Sequence, residues 1–328
     1  MATPSTAVTR YELSMPFSEF DLMLNRKGFI GPSVMKPRTV SIQSANVGKV
    51  PIEQLLGSRD TERNPGSSYK RGDFEFTTYS YACKEHGWEE PIDDATLAIY
   101  RDIIDAETIH AERAASFVCE NYERAVATAI YDTSTWTGAA LTTTITNEWD
   151  DHTNATPITD VINAKEKIAS GSGLEANALI LNSYQYSHLA NCDEIVDRVK
   201  YTNTATQSVM MNAVADALGL KMILIAGGFK NTANQNQTAS ISRIWSNEYM
   251  MLARVAETED PQEPCIGRTF IWSGDGPGAV GTGEELAMIM EEYRDESIRG
   301  SVIRARNNRD IVVMYPQAGH LLSNAITI

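Results

Sequence analysis

The sequence predicts a mixed α+β fold in which an extended arm, a β-hairpin excursion and one very long helix precede a globular part. Three patterns carry this expectation. Residues 93–132 hold apolar stripes at three- and four-residue spacing, with no Gly or Pro between them. Residues 74–81 alternate with a period of two and are rich in aromatics and Thr. Beyond residue 157, short apolar runs and amphipathic stretches follow one another between turn signals, with no internal repeat.

Residues 1–50 are broken by Pro16, Gly28, Gly31, Pro32, Pro37 and Gly48. An amphipathic piece at 17–24 predicts two helical turns, and the rest reads as an extended arm. Such an arm has no core of its own, so it frays or lies on a neighbour. Between Gly57 and Gly72, Asn64-Pro65-Gly66-Ser67-Ser68 is a strong turn signal. After it, Phe74, Phe76, Thr78 and Ser80 fall on one face of a strand, with Glu75, Thr77, Tyr79 and Tyr81 on the other. Residues 52–56 are the expected partner strand. An isolated hairpin is marginal in water, so this arm also needs a partner.

Pro91 and Asp93-Asp94 mark a helix start, with carboxylates near its positive end. At 1.5 Å per residue, a helix over 93–132 is about 60 Å long, a spine rather than an element of a compact enzyme. Further on, the sequence predicts a helix at 157–169 capped by Thr156, a buried strand at 178–181 and a short helix at 183–190. Then come a helix at 207–218 stopped by Gly219, a strand at 221–226 stopped by Gly227-Gly228, and a polar loop at 230–240. Strands are expected at 242–245, 250–254, 269–272, 302–306 and 310–315.

The chain has 328 residues with 43 acidic and 28 basic side chains, a net charge of −15. An acidic surface repels phosphate and disfavours a dedicated nucleic-acid binder, although a container wall can enclose DNA without gripping it. Cys83, Cys119, Cys192 and Cys265 are far apart, which argues against a zinc module and a disulfide framework and for synthesis in a reducing cytoplasm. The first residues lack the apolar core of a signal peptide, and no apolar run approaches the ~20 residues of a membrane span.

Several motifs suggest chemistry and have plainer explanations. Gly276-Pro-Gly278-Ala-Val-Gly281 satisfies a dinucleotide fingerprint, follows the strand expected at 269–272 and precedes a helix-like stretch from Glu284. Too little chain remains after Gly281 for the rest of such a domain, and Glu284-Glu285 would repel a phosphate. Asp150-Asp151-His152 offers metal-ligand types, but three adjacent residues rarely converge on one ion, so a solvated turn is expected. His188 and Cys192 share a helix face without a further ligand, and His110 sits within the apolar stripe of the spine. Arg71-Gly72-Asp73 matches an adhesion tripeptide by turn chemistry. No catalytic, cofactor-binding or metal-binding residue is assigned.

Several strings resemble the major capsid proteins of tailed bacteriophages. Cys83 to Asp94 (CKEHGWEEPIDD) is similar to the segment that closes an extended loop and caps the spine. Glu120 to Ala127 (ENYERAVA), Trp149-Asp-Asp151 and Pro157-Ile158 are similar to the spine's end and the exit beyond it. Asn177 to Asn182 (NALILN), the following Tyr186 to Leu189, Ile244-Trp245 and the closing Gly319-His-Leu-Leu322 also resemble the family. The likeness runs from about residue 40 to the end, and the order of the pieces carries it.

This resemblance implies an α+β, Hong Kong 97-like capsid fold. Its parts would be an N-terminal arm (1–45), an extended β-hairpin loop (46–92), a peripheral domain (93–206) with a spine helix at 93–132, an axial domain (207–300), and C-terminal strands (301–328). It implies a non-enzymatic shell subunit that assembles with itself into hexamers and pentamers of an icosahedral head around double-stranded DNA, in the host cytoplasm. A separate scaffolding protein, a portal and optionally a decoration protein are the implied partners, without membrane, cofactor or sequence-specific DNA contacts. Bottom-up, the basic residues Arg59, Arg63, Lys70 and Arg71 near the loop tip are expected to dock on Asp93, Asp94, Asp102 and Asp105 of an adjacent subunit's spine. The alternatives are an encapsulin-like nanocompartment shell and, remotely, an NAD(P)-dependent oxidoreductase.

Overall fold

A computed structural model of the protein describes residues 8–9, 28–49, 51, 56–58, 60–72, 75–100, 106–200, 207–234, 236–260, 263–275 and 288–327. The expected helix at 17–24, Arg59, Phe74, Asp102, Asp105 and the glycine motif at 276–281 lie outside these residues.

Two sheets organise the described chain. The first joins β1 (Val8–Thr9), β13 (Ile289–Asp295), β14 (Gly300–Val313), β12 (Gly267–Trp272) and β2 (Pro37–Val40) in that order, with β5 (Lys84–Asp93) also on β14. The second has the order β6 (Thr142–Thr144), β15 (Gly319–Ser323), β11 (Met250–Ala253), β7 (Ala178–Asn182) and β8 (Met222–Ala226). β3 (Ser44–Lys49) pairs with β4 (Thr77–Ala82), and β9 (Phe229–Asn231) with β10 (Ile241–Arg243).

The helices are α1 (Gly31–Val34), α2 (Asp94–Tyr100), α3 (Ala106–Ile130), α4 (Pro157–Ser172), α5 (Ser183–Asn191), α6 (Asp193–Val199) and α7 (Gln207–Ala217). Of the 93–132 stretch expected as one spine helix, the described residues form α2 and α3, with 101–105 outside them. The longer piece of the spine, α3, has 25 residues and so spans about 37 Å. It packs on β5 and β14. Val118, Tyr122, Val126 and Ile130 share one core with Ile303 of the first sheet and with Ile180, Met251 and Leu321 of the second. Leu179, Leu181 and Leu252 point the other way, onto Val161, Ile168, Leu189 and Val214 of the helices α4, α5 and α7. With both faces covered, β7 can be apolar throughout, which is why its run in the sequence is continuous rather than alternating.

Local chemistry sets the ends of these elements. Asn182 caps α5 by accepting from the Tyr184 and Gln185 N–H groups, while Gln185 Oε1 accepts from Asn182 N, a reciprocal capping box. Thr156, expected to cap α4, makes no side-chain cap bond. Glu194 of α6 accepts from Ile158 N at 3.0 Å instead.

Other expectations are corrected. The partner of β4 is β3, from Ser44 to Lys49, rather than 52–56, of which 52–55 lie outside the described residues. Alternation shows two faces but not which is inward. Here Tyr81 is buried and stacked 4.6 Å from Phe270, whereas Phe76 is 65% exposed. The two strands expected at 302–306 and 310–315 are one strand of 14 residues. The polar run Asn307-Asn308-Arg309 looked like a break, yet it continues the pairing opposite His86, Glu85 and Lys84.

The stretch expected to turn helical from Glu284 carries, in its described part, β13, antiparallel to β14. β12 also runs antiparallel to β14, so the strand before the glycine motif is not in a doubly wound parallel sheet, which removes the structural context of the oxidoreductase alternative. The stretch expected as a polar loop at 230–240 begins within the short strand β9, which pairs with β10 after it. β7 pairs with β8 in parallel, and β13 with β14 antiparallel.

Candidate assembly surfaces

On one face of β5, β14 and β13, Arg304 reaches Glu89 at 2.7 Å and Glu291 at 3.3 Å, and Arg306 reaches Glu291 at 2.7 Å and Glu85 at 3.8 Å. Exposed pairs contribute little singly, about 0.2–1 kcal/mol, but this set shares partners across three strands and fixes their register. Sequence reading missed it; Arg304 and Arg306 at strand spacing were the available signal. Beside it, Trp88 and Phe117 form an aromatic pair, centroids 5.0 Å apart, that stays substantially exposed.

At the tip, Arg63 Nε donates to the Ser67 carbonyl at 2.7 Å and its guanidinium lies 4.5 Å from the Tyr69 ring centre. Lys70 pairs with Asp60 and holds that carboxyl below its usual range. Arg71 is exposed. On the acidic side, Asp93 ends β5 and accepts from Ala95 N at 3.2 Å. Asp94 is gripped by both terminal nitrogens of Arg294, at 2.6 and 2.7 Å, which depresses its pKa. Among the described residues, the basic tip and the acidic spine start therefore make separate contacts within one chain.

The spine also clamps Ile30 to Met35, within the stretch expected to be the arm. Tyr122 hydroxyl lies 2.8 Å from Thr269 Oγ1 and 3.2 Å from the Met35 carbonyl. Glu123, fully buried, accepts from Ile30 N, Gly31 N and Trp245 Nε1 at 2.9, 2.7 and 2.7 Å. Burial pushes its carboxyl pKa up against the pull of these three donors. The sequence gives no sign of this role, since a glutamate within a helix is ordinarily solvated.

The residues weighed for chemistry have structural settings. His152 Nε2 and His188 Nδ1 lie 3.0 Å apart, and Asp151 accepts from the Asn154 side chain at 2.8 Å. No group of three potential metal ligands occurs among the described residues. Cys192 is buried and its thiol is pushed up to about 12, and Cys83 to about 11, mainly by desolvation. His110 Nδ1 is 3.6 Å from Glu90 Oε2. Among the described residues, no helix is long and apolar enough to cross a membrane.

No protein-family model and no curated protein matches the chain. Solved structures do. A phage-related protein from Bordetella bronchiseptica RB50 aligns over 98% of both chains with a TM-score of 0.70 and 20% identity. The capsid of cyanophage P-SCSP1u aligns over 98% of this chain and 90% of that one, with a TM-score of 0.57 and 12% identity. The chain has the Hong Kong 97-like capsid fold. A virus-like particle from Pyrococcus furiosus shares it, with a TM-score of 0.53 and 12% identity over 94% of this chain and 99% of that one. α3 lies in the stretch expected to be the spine, and β3 and β4 bracket part of the stretch expected to be the extended loop.

Proposed function

We propose that this chain is the major shell subunit of a tailed-bacteriophage head, assembling into hexamers and pentamers around double-stranded DNA in the host cytoplasm. Its role is structural rather than catalytic. A separate scaffolding protein and a portal, with an optional decoration protein, complete the set of partners. The supporting observation is the capsid fold combined with a loop tip whose contacts among the described residues are local: Arg63 lies against Ser67 and Tyr69, and Lys70 pairs with Asp60. A loop of this kind gains its stabilising surface from a neighbour. The net charge of −15 suits a wall that lets packed DNA slide.

Negative-stain electron microscopy with light scattering tests this reading. Rings, tubes or closed shells are the expected products, alone or with scaffolding protein; a persistent monomer or dimer would count against it. Likeness to the Pyrococcus furiosus particle supports a second reading, a nanocompartment shell. Shell diameter and a bound cargo segment in place of DNA distinguish the two.

A further inference from the structure

The fold brings together two histidines, neither of which has sequence neighbours that complete a metal site. His152 lies in the turn before α4, and His188 in the last turn of α5. Their Nε2 and Nδ1 atoms face one another at 3.0 Å. The backbones behind them are fastened to each other. The Cys192 thiol reaches the Trp149 and His188 carbonyls, both at 3.4 Å, and Asp193 N donates to the His152 carbonyl at 3.0 Å. The Tyr184 ring meets the His188 ring edge-on, with centroids 4.6 Å apart. Both imidazoles are only partly buried, so an ion can reach them from solvent.

Two neutral imidazoles in this contact hold one N–H and one lone pair between them, and each ring can carry its single proton on either nitrogen. With the protons on the outer nitrogens, His152 Nδ1 and His188 Nε2, both facing nitrogens present lone pairs. That state is repulsive by itself and is the one a metal ion requires. The proton reaches the outer nitrogen through water, and none is released. Two nitrogens about 2.1 Å from one ion are about 3.0 Å apart at a right angle and about 3.4 Å apart at the tetrahedral angle. The observed separation of 3.0 Å lies within this range, so the rings need only turn.

Imidazole nitrogen selects zinc, copper or nickel over magnesium or calcium. Asp150 brings a negative charge close by. Burial raises its carboxyl pKa, but hydrogen bonds, chiefly from Thr327, and the His188 ring hold it below the usual range. Among the described residues no third protein donor completes the group, so water fills the remaining positions. We propose that His152 and His188 form a two-imidazole site for a divalent transition-metal ion. The bound ion couples the turn before α4 to the end of α5. This inference is independent of whether the chain forms shells.

The test uses the full-length chain after chelator treatment and desalting. Zinc chloride titrated by calorimetry should report one site per chain, lost in His152→Ala and in His188→Ala. The thermal midpoint should rise with excess zinc in the parent and not in either variant. Copper(II) added to the parent at one equivalent should give an electron paramagnetic resonance spectrum split by two imidazole nitrogens, a readout that does not depend on how the variants fold. A site built on His86, His110 or His320 would survive both substitutions. Zinc binding that survives either one, copper coupled to fewer than two nitrogens, or a parent that binds neither ion would overturn the proposal.

Discussion

Glu123 accepts the indole N–H of Trp245 at 2.7 Å, a bond that ties the spine to the segment leading into the second sheet. The same carboxylate takes two backbone N–H groups at the start of α1, so one side chain fixes three parts of the chain. Glu123→Gln keeps the shape but replaces one acceptor oxygen with an N–H₂ group facing a buried donor. The expected cost is about 2–3 kcal/mol, seen by calorimetry as a thermal midpoint lower by about 5 °C. An unchanged midpoint would mean that the three donors find other acceptors.

His320 sets a pH dependence. Its Nδ1 lies 3.0 Å from the Ala140 carbonyl and its Nε2 2.8 Å from Thr143 Oγ1, which also accepts from Lys167. A carbonyl only accepts, so Nδ1 carries the proton, and the Thr143 hydroxyl donates to Nε2. Burial, with Lys167 nearby, lowers the ring's pKa below its ordinary value of 6.5. The unfolded chain therefore binds this proton more readily. The contribution to stability is complete above pH 6.5 and is lost as pH falls through the folded-state value. His86 is shifted the same way and adds to the slope. Thermal midpoints from pH 5 to 8 should fall toward acid in the parent and fall less steeply in His320→Gln. Equal slopes would remove His320 as a source.

The spine and the strand β7 were legible because their patterns have one physical cause each, a helical apolar stripe and a run buried on both faces. The strand β14 was not. Asn307, Asn308 and Arg309 interrupt its apolar pattern, and Arg309 is satisfied by Asn307 beside it and by a spine carrying Asn121 and Tyr122 above it. The strand β13 was hidden for a related reason, since Glu291 and Glu292 look solvated until Arg304 and Arg306 are placed beside Glu291. The basic tip and acidic spine were visible as clusters, but that Arg294 already occupies Asp94 depends on a contact 200 residues away in sequence.

Gly300 opens β14 against the end of β5. A Cβ built there would lie 2.1 Å from the Ile92 carbonyl oxygen and 2.9 Å from its carbon. Both are backbone atoms in a paired strand, so neither can step aside without parting the pairing of Asp93 with Gly300. Gly300→Ala should cost about 3 kcal/mol, lowering the urea midpoint without changing the slope. A midpoint equal to the parent's would show that the strands separate there at little cost.

The tip contacts yield the last prediction. Arg63 is exposed and its partners, the Ser67 carbonyl and the Tyr69 ring, are both local. Reversing Arg59 and Arg63 to Glu should therefore change subunit stability by less than about 0.5 kcal/mol. If the tip docks on a neighbour's acidic spine start, the same change places like charges together and should abolish shells seen by electron microscopy. Asp94 is the weaker target, because a docking arginine must displace Arg294 from it. Among the described residues Asp93 accepts from a single backbone N–H, so it is the better one. Adding Asp93→Arg and Asp102→Arg to the reversed tip should restore assembly by restoring opposite charges. Normal shells from the reversed tip alone would sink the docking idea, and a failed rescue would place the tip's partner elsewhere on the neighbour.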